Sequence, residues 1–163
     1  MSASGGQIIS TGERFLCFSL GSEDYAIPLL SVKEVIAVPE ITPLPFSPPH
    51  FLGIMNLRGQ VISVVDLRQK LGIKPKPGAE TAVIICDLAQ ICLGVVVDSI
   101  NSVLSPEPEN VSEKPEAQGS KASEFITGVY RKNEQLIVFL SIAKTLSLED
   151  QKTIGTASKA KAA

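Results

Sequence analysis

The chain has 163 residues, enough for one domain or for two small ones that share a core, and 44% of its residues are hydrophobic. That hydrophobic share excludes disorder of the whole chain. Aromatic residues make up only 5% and Trp is absent, so the core must be built from Val, Ile and Leu, which favour strands. The net charge is −2 and no cluster of five basic residues occurs, which argues against a surface that binds nucleic-acid phosphates.

Three cysteines, Cys17, Cys86 and Cys92, lie inside apolar, strand-like runs. Their number is odd and their spacing is not that of metal ligands. This pattern predicts buried free thiols in a reducing compartment, rather than a disulfide or a zinc site. We therefore expect a cytoplasmic protein that needs no metal and no cofactor.

Two segments bear on membrane targeting. Residues 1–12 are polar and rich in Gly and Ser, without the apolar stretch of a secretory signal. The longest apolar stretch, residues 82–97, is interrupted by Asp87 and Gln90, whereas a membrane helix needs roughly 20 mostly apolar residues. We expect this stretch to form two strands and a turn, and we expect no direct insertion into a membrane.

Short apolar runs separated by turn residues predict about ten strands. In chain order they cover residues 14–20, 25–30, 32–38, 54–57, 60–65, 81–86, 91–97, 99–104, 125–130 and 135–140. Prolines crowd residues 39–49, which predicts an irregular connection, and we expect Phe46 and Phe51 to hold it to the core. The spacing of the strands is typical of a sandwich or of small barrels.

Helices are expected to be few and short. Asp66 is predicted to cap a helix of sequence LRQKL that ends at Gly72, and a second short helix is predicted at residues 142–148. Residues 105–124 are polar and rich in Pro, which predicts a long mobile loop.

A weak internal repeat suggests a duplication. QVISVVDLRQKL (residues 60–71) and ICLGVVVDSINSVL (residues 91–104) both run from an apolar strand to Val-Val-Asp. Each then has an apolar residue five positions after the Asp, at Leu71 and at Val103. Two copies of one small barrel would produce this pattern.

Catalytic candidates are scarce. His50 is the one histidine, in Pro-Pro-His-Phe, and no nucleophile elbow, Cys-x-x-Cys, His-Glu-x-x-His or phosphate-binding glycine loop occurs. Asp66 and Asp98 could form an acid–base pair. The simpler interpretation is that each ends an apolar strand and caps the next turn. The sequence thus favours a protein that is not an enzyme.

The tetrapeptide Asn56–Gly59 (NLRG) places Arg58 at a tight corner between two apolar strands. The corner can be a plain hairpin turn with a solvated side chain. Alternatively, Arg58 can offer its planar guanidinium to a partner's carboxylate or backbone. Glu34 is an isolated acid on an otherwise apolar strand, where it can simply face outward or can pair with Arg58 if their strands are neighbours.

Five segments together resemble the CheW family, which includes the chemotaxis coupling protein and the kinase domain that pairs with it. They are FLCFSLGSEDYAIPLLSVKEVI, ITPLPFSP, FLGIMNLRGQVISVVDLRQKLG, CLGVVVDSINSVL and FITGVYRKNEQLIVFLSIAKTL. NLRG followed by VVDLR and later by GVVVD is specific in combination. The resemblance covers residues 14–148, and we expect a flexible N-terminus at 1–13 and a disordered tail at 149–163.

The resemblance implies an all-β fold of two packed, five-stranded SH3-like barrels with short helices only. It also implies a non-catalytic adaptor between the cytoplasmic tips of chemoreceptors and the regulatory domain of the histidine kinase CheA. Such a protein is cytoplasmic, is recruited to membrane-associated receptor arrays and can self-associate in array rings. An adaptor of a non-flagellar chemosensory pathway, such as pilus motility, is the alternative.

The same resemblance implies two binding surfaces. By position, receptor binding would use Leu16, Leu29, Val32, Glu34, Val35, Arg58 and Ile100. Kinase binding would use Ile41, Leu44 and Gly53. From the residues alone, the apolar members of the first set are equally compatible with a core and with an exposed groove. The chain departs from the family pattern at Ser63, where Pro is usual, and in the longer loop at 105–124.

Overall fold

The computed structural model describes residues 9–74, 81–88, 91–113 and 125–145. These residues form eleven strands and two short α-helices, joined by turns and loops. The strands are β1 (Phe15–Leu20), β2 (Glu23–Pro28), β3 (Val32–Ala37), β4 (Phe51–Leu57), β5 (Gln60–Asp66), β6 (Ala82–Leu88), β7 (Ile91–Val97), β8 (Ser99–Leu104), β9 (Val111–Ser112), β10 (Ile126–Lys132) and β11 (Gln135–Leu140). The helices are α1 (Leu67–Leu71) and α2 (Ile142–Thr145). The predicted all-β class with short helices is confirmed.

The strands form two mixed sheets. One has the order β8-β1-β2-β11-β10-β9 and the other the order β3-β6-β7-β5-β4. Neighbours are antiparallel except for β11 beside β2 and β5 beside β7, which are parallel. The family resemblance implied two five-stranded barrels, so one sheet has a strand more than expected. The sixth strand is the two-residue β9, which lies within the segment predicted to be a loop and pairs with β10.

Each sheet buries side chains on both of its faces. The six-stranded core consists of Ile9, Phe15, Cys17, Ala26, Tyr130, Ile137 and Phe139. The five-stranded core consists of Met55, Ile62, Val64, Val83, Ile85 and Val96. The shared core, between the sheets, consists of Leu16, Phe18, Leu20, Ile27, Phe51, Val65, Leu67, Ile84, Cys86, Leu93, Val95, Val97, Leu140 and Ile142. Because side chains alternate between faces along a strand, two buried faces require the nearly continuous apolar runs seen in β1, β6 and β7.

The internal repeat does not correspond to one copy in each sheet. Its two apolar strands, β5 and β7, are parallel neighbours in the five-stranded sheet, with Val65 opposite Val95. After the first copy, Asp66 accepts hydrogen bonds from the backbone N–H groups of Arg68 and Gln69 and so caps α1, as predicted. After the second copy the chain enters β8, in the six-stranded sheet. The two repeats are therefore not the equivalent strands of two copies of one barrel.

Of the two phenylalanines expected to hold the proline-rich connection, only one does so. Phe51 is buried in the shared core. Phe46 is fully exposed and has a φ of 60°. The expectation for Phe46 is wrong because the residue lies in a turn and its ring packs against none of the three cores.

The expected mobile segments are only partly described. Residues 105–113 contain a 3-10 turn at Pro108–Asn110 followed by β9, so this part of the predicted loop is ordered. At the N-terminus, Ile9 is buried in the six-stranded core although it belongs to the segment expected to be flexible. The rest of the predicted loop and the tail at 149–163 lie outside the described residues.

Candidate functional site

The hairpin turn between β4 and β5 carries an exposed ion pair. Arg58 has a φ of 50° at this turn, and the backbone N–H of Gly59 donates to Asn56 Oδ1 over 2.8 Å. The Arg58 guanidinium donates to both carboxylate oxygens of Glu34, over 2.7 and 3.0 Å. The hydrogen bonds from Arg58 lower the pKa of Glu34. The carboxylate therefore stays ionised, and the ion pair persists, at pH values below those at which a Glu side chain usually becomes protonated.

This pair forms even though the two strands are not neighbours. β3 and β4 are the opposite edges of the five-stranded sheet, so a contact between Glu34 and Arg58 requires the sheet to curl until its edges approach. A second contact supports the same closure, because Thr42, after β3, exchanges two 2.8 Å backbone hydrogen bonds with Ile54 in β4. The Arg58 side chain is 71% exposed, and the pair uses only two of its five N–H donors.

A β-bulge in β3 decides which of its side chains face the shared core. Val32 lies opposite Cys86 and Val35 lies opposite Ile84, with the register shifted by one residue at Lys33. Residues three apart in a regular strand point to opposite faces. The bulge instead puts Val32 and Val35 on the same side, because their partners Cys86 and Ile84 both belong to the shared core.

Glu34 consequently points the other way. Its partner in β6 is Ile85, a member of the five-stranded core, and the next residue on that face, Ile36, packs against the same core. The predicted receptor-binding set is therefore divided by the structure. Glu34 and Arg58 are joined on one side of β3, and Val32 and Val35 lie on the other.

The remaining predicted receptor residues gather where the sheets meet. Leu16 is buried in the shared core, and Leu29 and Ile100 are half-buried and pack against it. Val103, which pairs with Leu16 across β1 and β8, is exposed on this side and was not predicted as a binding residue. We call these residues the apolar strip: Leu16, Leu29, Val32, Val35, Ile100 and Val103. Only the repeat pattern drew attention to Val103 in the sequence, as an apolar residue five positions after Asp98.

The predicted kinase-binding residues also lie close together, but in different roles. Ile41 is half-buried against the five-stranded core, and the Leu44 carbonyl accepts a 2.9 Å hydrogen bond from Ser47 Oγ. Gly53 is buried with a φ of 142°, and a Cβ added there would lie 2.0 Å from the Thr42 carbonyl oxygen. Gly53 therefore lets the 41–44 segment approach β4 and contributes no side chain to a surface.

A buried ion cluster occupies the place where an acid–base pair was considered. Arg68 donates to both oxygens of Asp66, over 3.0 and 3.1 Å, and to Asp98 Oδ1 over 2.6 Å. The other oxygen of Asp98 accepts the backbone N–H of Gly21 over 2.5 Å. Both carboxylates thus bind a guanidinium, which fits a structural role. One donor to Asp98 thus comes from the β1–β2 turn, which is distant in the chain from the turn that Asp98 was predicted to cap.

Groups with the chemistry to hold a metal are dispersed. Among the described residues, no cluster of three or more His, Cys, Asp or Glu side chains is placed to bind an ion. The three cysteines are free thiols, and burial raises the pKa of Cys86 to about 12, which keeps it protonated. No helix within the described part of the chain has the length and apolar character to cross a membrane.

Comparison with known proteins gives a consistent family. A family model described as the CheW-like domain matches residues 14–150. The chain is similar to Chemotaxis protein CheW of Klebsiella aerogenes, with 32% identity over 151 residues that cover 92% of this chain and 91% of the relative. Protein FrzA of Myxococcus xanthus is 27% identical over 145 residues, which cover 87% and 90%. The crystal structure of the scaffolding protein TtCheW from Thermoanaerobacter tengcongensis has the same fold, with a TM-score of 0.77, 24% identity, and coverage of 85% of this chain and 95% of that one.

Proposed function

Because the chain belongs to the CheW-like family, we propose that it works as a non-catalytic adaptor in chemotaxis signalling. It holds the cytoplasmic tip of a chemoreceptor on one surface and the regulatory domain of the histidine kinase CheA on another. In this role the protein acts in the cytoplasm, at membrane-associated receptor arrays, where it self-associates in rings.

The observation that supports the proposal is that the apolar strip and the segment of Ile41 and Leu44 lie on different sides of the five-stranded sheet. The apolar strip faces the shared core, whereas Ile41 packs against the five-stranded core and Leu44 follows it along the chain. An adaptor must bind two partners at once, and it can do so only if their surfaces do not overlap. Two separate apolar patches meet this requirement without any catalytic group.

The proposed receptor surface combines the apolar strip with one oriented charge, Arg58, whose partner Glu34 lies on the other side of β3. The apolar strip supplies area that a receptor hairpin can cover. At the β4–β5 corner, Glu34 holds the Arg58 guanidinium in place, while three of its N–H donors stay available to a receptor oxygen. Because the pair is exposed, its main contribution is to orient Arg58 rather than to stabilise the fold.

Two surface variants test the proposal in a reciprocal way. In binding titrations, Arg58→Ala should weaken binding of the receptor tip at least about tenfold and leave binding of the kinase regulatory domain unchanged. Arg58→Lys should recover only part of the loss, because an ammonium lacks the planar donor fork. Leu44→Asp should do the reverse and weaken only kinase binding.

Melting curves serve as the control, because each variant must stay folded for its binding data to count. Equal loss of both partners in a folded variant would contradict the existence of separate surfaces. Receptor binding of wild-type strength in Arg58→Ala would remove Arg58 from the site and leave the interpretation of a plain hairpin turn.

A second candidate pathway has one supporting observation. The relatives include Protein FrzA, which is similar over most of both chains. Its name differs from that of the other relatives, and an adaptor of a non-flagellar pathway, such as pilus motility, with the same two surfaces is the alternative that we propose. A pull-down of the purified protein with the kinases and receptors of its own host distinguishes the two, because each pathway supplies its own kinase.

A further inference from the structure

The tip of the proline-rich connection displays a phenylalanine that the fold does not use. Phe46 is exposed to 106% of its reference area, more than any other large apolar residue described. Its ring belongs to none of the three buried cores. Its φ of 60° lies in the left-handed region, which residues with a Cβ rarely adopt. The position therefore combines an unfavourable backbone conformation with an unfavourable exposure.

The loop around Phe46 is held in one conformation. Pro45 precedes it and Pro48 follows two residues later, and each fixes its own φ. Ser47 Oγ donates to the Leu44 carbonyl over 2.9 Å, and the backbone N–H of Phe51 donates to the Pro48 carbonyl over the same distance. The ring is therefore already in place when a partner binds, and little conformational entropy of the loop is lost on binding.

A displayed aromatic ring is common at the centres of protein interfaces. Aromatic side chains contribute large apolar area at low entropic cost and are enriched among the residues that dominate binding energy. Strained backbone conformations are concentrated at functional sites, so the positive φ of an unpacked Phe46 points to a role in binding.

We propose that Phe46 is the aromatic anchor of the kinase-binding surface and inserts into an apolar pocket on the kinase regulatory domain. This inference rests on the proposed adaptor function and deepens it. Phe46 lies two residues from Leu44, inside the turn that the hydrogen bond from Ser47 Oγ to the Leu44 carbonyl closes, so the ring is displayed by the same loop as Leu44.

The charge of the loop indicates the character of the partner's pocket. Between residues 39 and 50, the titratable side chains are Glu40 and His50, and the remainder are apolar, Pro, Ser or Thr. The centres of protein interfaces are depleted of charge in the same way. The receptor surface differs, because it carries the exposed guanidinium of Arg58. The loop therefore fits an uncharged, apolar pocket of the kinase.

Phe46→Asn is the variant that separates a binding role from a structural one. Asn tolerates positive φ better than Phe, so the variant should melt at the same temperature as the wild type or slightly above it. In titrations with the purified kinase regulatory domain, it should bind at least about tenfold more weakly than the wild type, and its receptor binding should not change. Leu30→Asn is the matched control, because Leu30 is 97% exposed but lies outside the loop, and it should bind the kinase as the wild type does.

Three results would overturn the proposal. If Phe46→Asn keeps wild-type kinase affinity while Leu44→Asp loses it, Phe46 is not the anchor and the adaptor function stands. If Phe46→Asn changes self-association in analytical ultracentrifugation but not kinase binding, the ring contacts a second copy of this chain instead. If the wild-type protein binds no kinase regulatory domain, the inference and the proposed function fail together.

Discussion

The two arginine ion pairs differ so strongly in burial that replacing each should affect stability very differently. The Arg68 side chain is 12% exposed and the Asp98 side chain 1%, whereas the Arg58 side chain is 71% exposed. Arg68 also connects parts of both sheets, since Asp66 ends β5 in one sheet and Asp98 immediately precedes β8 in the other. We predict that Arg68→Met destabilises the protein severely.

The expected magnitude follows from what the substitution leaves behind. Without Arg68, the buried carboxylate of Asp98 loses the guanidinium that donates to it over 2.6 Å. Breaking a buried ion pair by removing one partner costs about 3–5 kcal/mol. For a domain of 150–250 residues, each kcal/mol lowers the melting temperature by roughly 2–4 °C, so we expect a fall of about 6–20 °C.

Thermal melts and denaturant titrations of Arg68→Met and Arg58→Ala provide the measurement and its matched control. Arg58→Ala removes the same type of side chain from an exposed pair and should move the melting temperature by only a few degrees. Adding Asp98→Asn to Arg68→Met should restore part of the lost stability. Asn removes the buried charge that has lost its guanidinium, and its amide oxygen can still accept from the backbone N–H of Gly21.

Equal melting temperatures for Arg68→Met and Arg58→Ala would refute this reasoning, because burial would then have no influence on the cost. A double variant less stable than Arg68→Met alone would also contradict it. In that case the buried charge of Asp98 would not be the source of the destabilisation.

Two further substitutions test features of the five-stranded sheet. Gly53→Ala should destabilise the protein by more than Gly59→Ala in denaturant titrations. Both glycines have positive φ, which costs a residue with a Cβ about 1–3 kcal/mol, but only at Gly53 would the Cβ also collide with the Thr42 carbonyl. Ser63→Ala should leave the melting temperature unchanged or raise it, because the buried Ser63 hydroxyl finds no hydrogen-bond partner among the described residues. A clear loss of stability in Ser63→Ala would show that the hydroxyl is bonded.

The sequence alone determined the features that depend on short-range patterns. The bounds of β7, β8 and β11 agree with the predicted runs at residues 91–97, 99–104 and 135–140. The cap at Asp66 and the end of α1 at Gly72, which has a φ of 73°, were predicted as well. Alternation of side chains, helix caps and turn residues act within a few positions of the chain, so their signals can be read locally.

The family resemblance added candidates for the site, but it did not indicate their orientation. The ion pair between Glu34 and Arg58 was predicted on the condition that their strands are neighbours, yet it joins the two edges of a curled sheet. Val32 and Val35 share a face only because the bulge at Lys33 shifts the register against β6. Such a shift depends on the partner strand and leaves no pattern in the residues of β3 themselves.

Only the tertiary structure distinguished side chains that the sequence presents as equivalent. Phe46 lies within the proline-rich connection and Phe51 lies two residues after its last proline, but the first ring is in solvent and the second is in the shared core. Arg58 and Arg68 both follow apolar strands, but one is displayed at a corner and the other binds two carboxylates, Asp66 and Asp98. Burial is a property of the packed sheets. It depends on residues distant in the chain, and local propensity therefore cannot supply it.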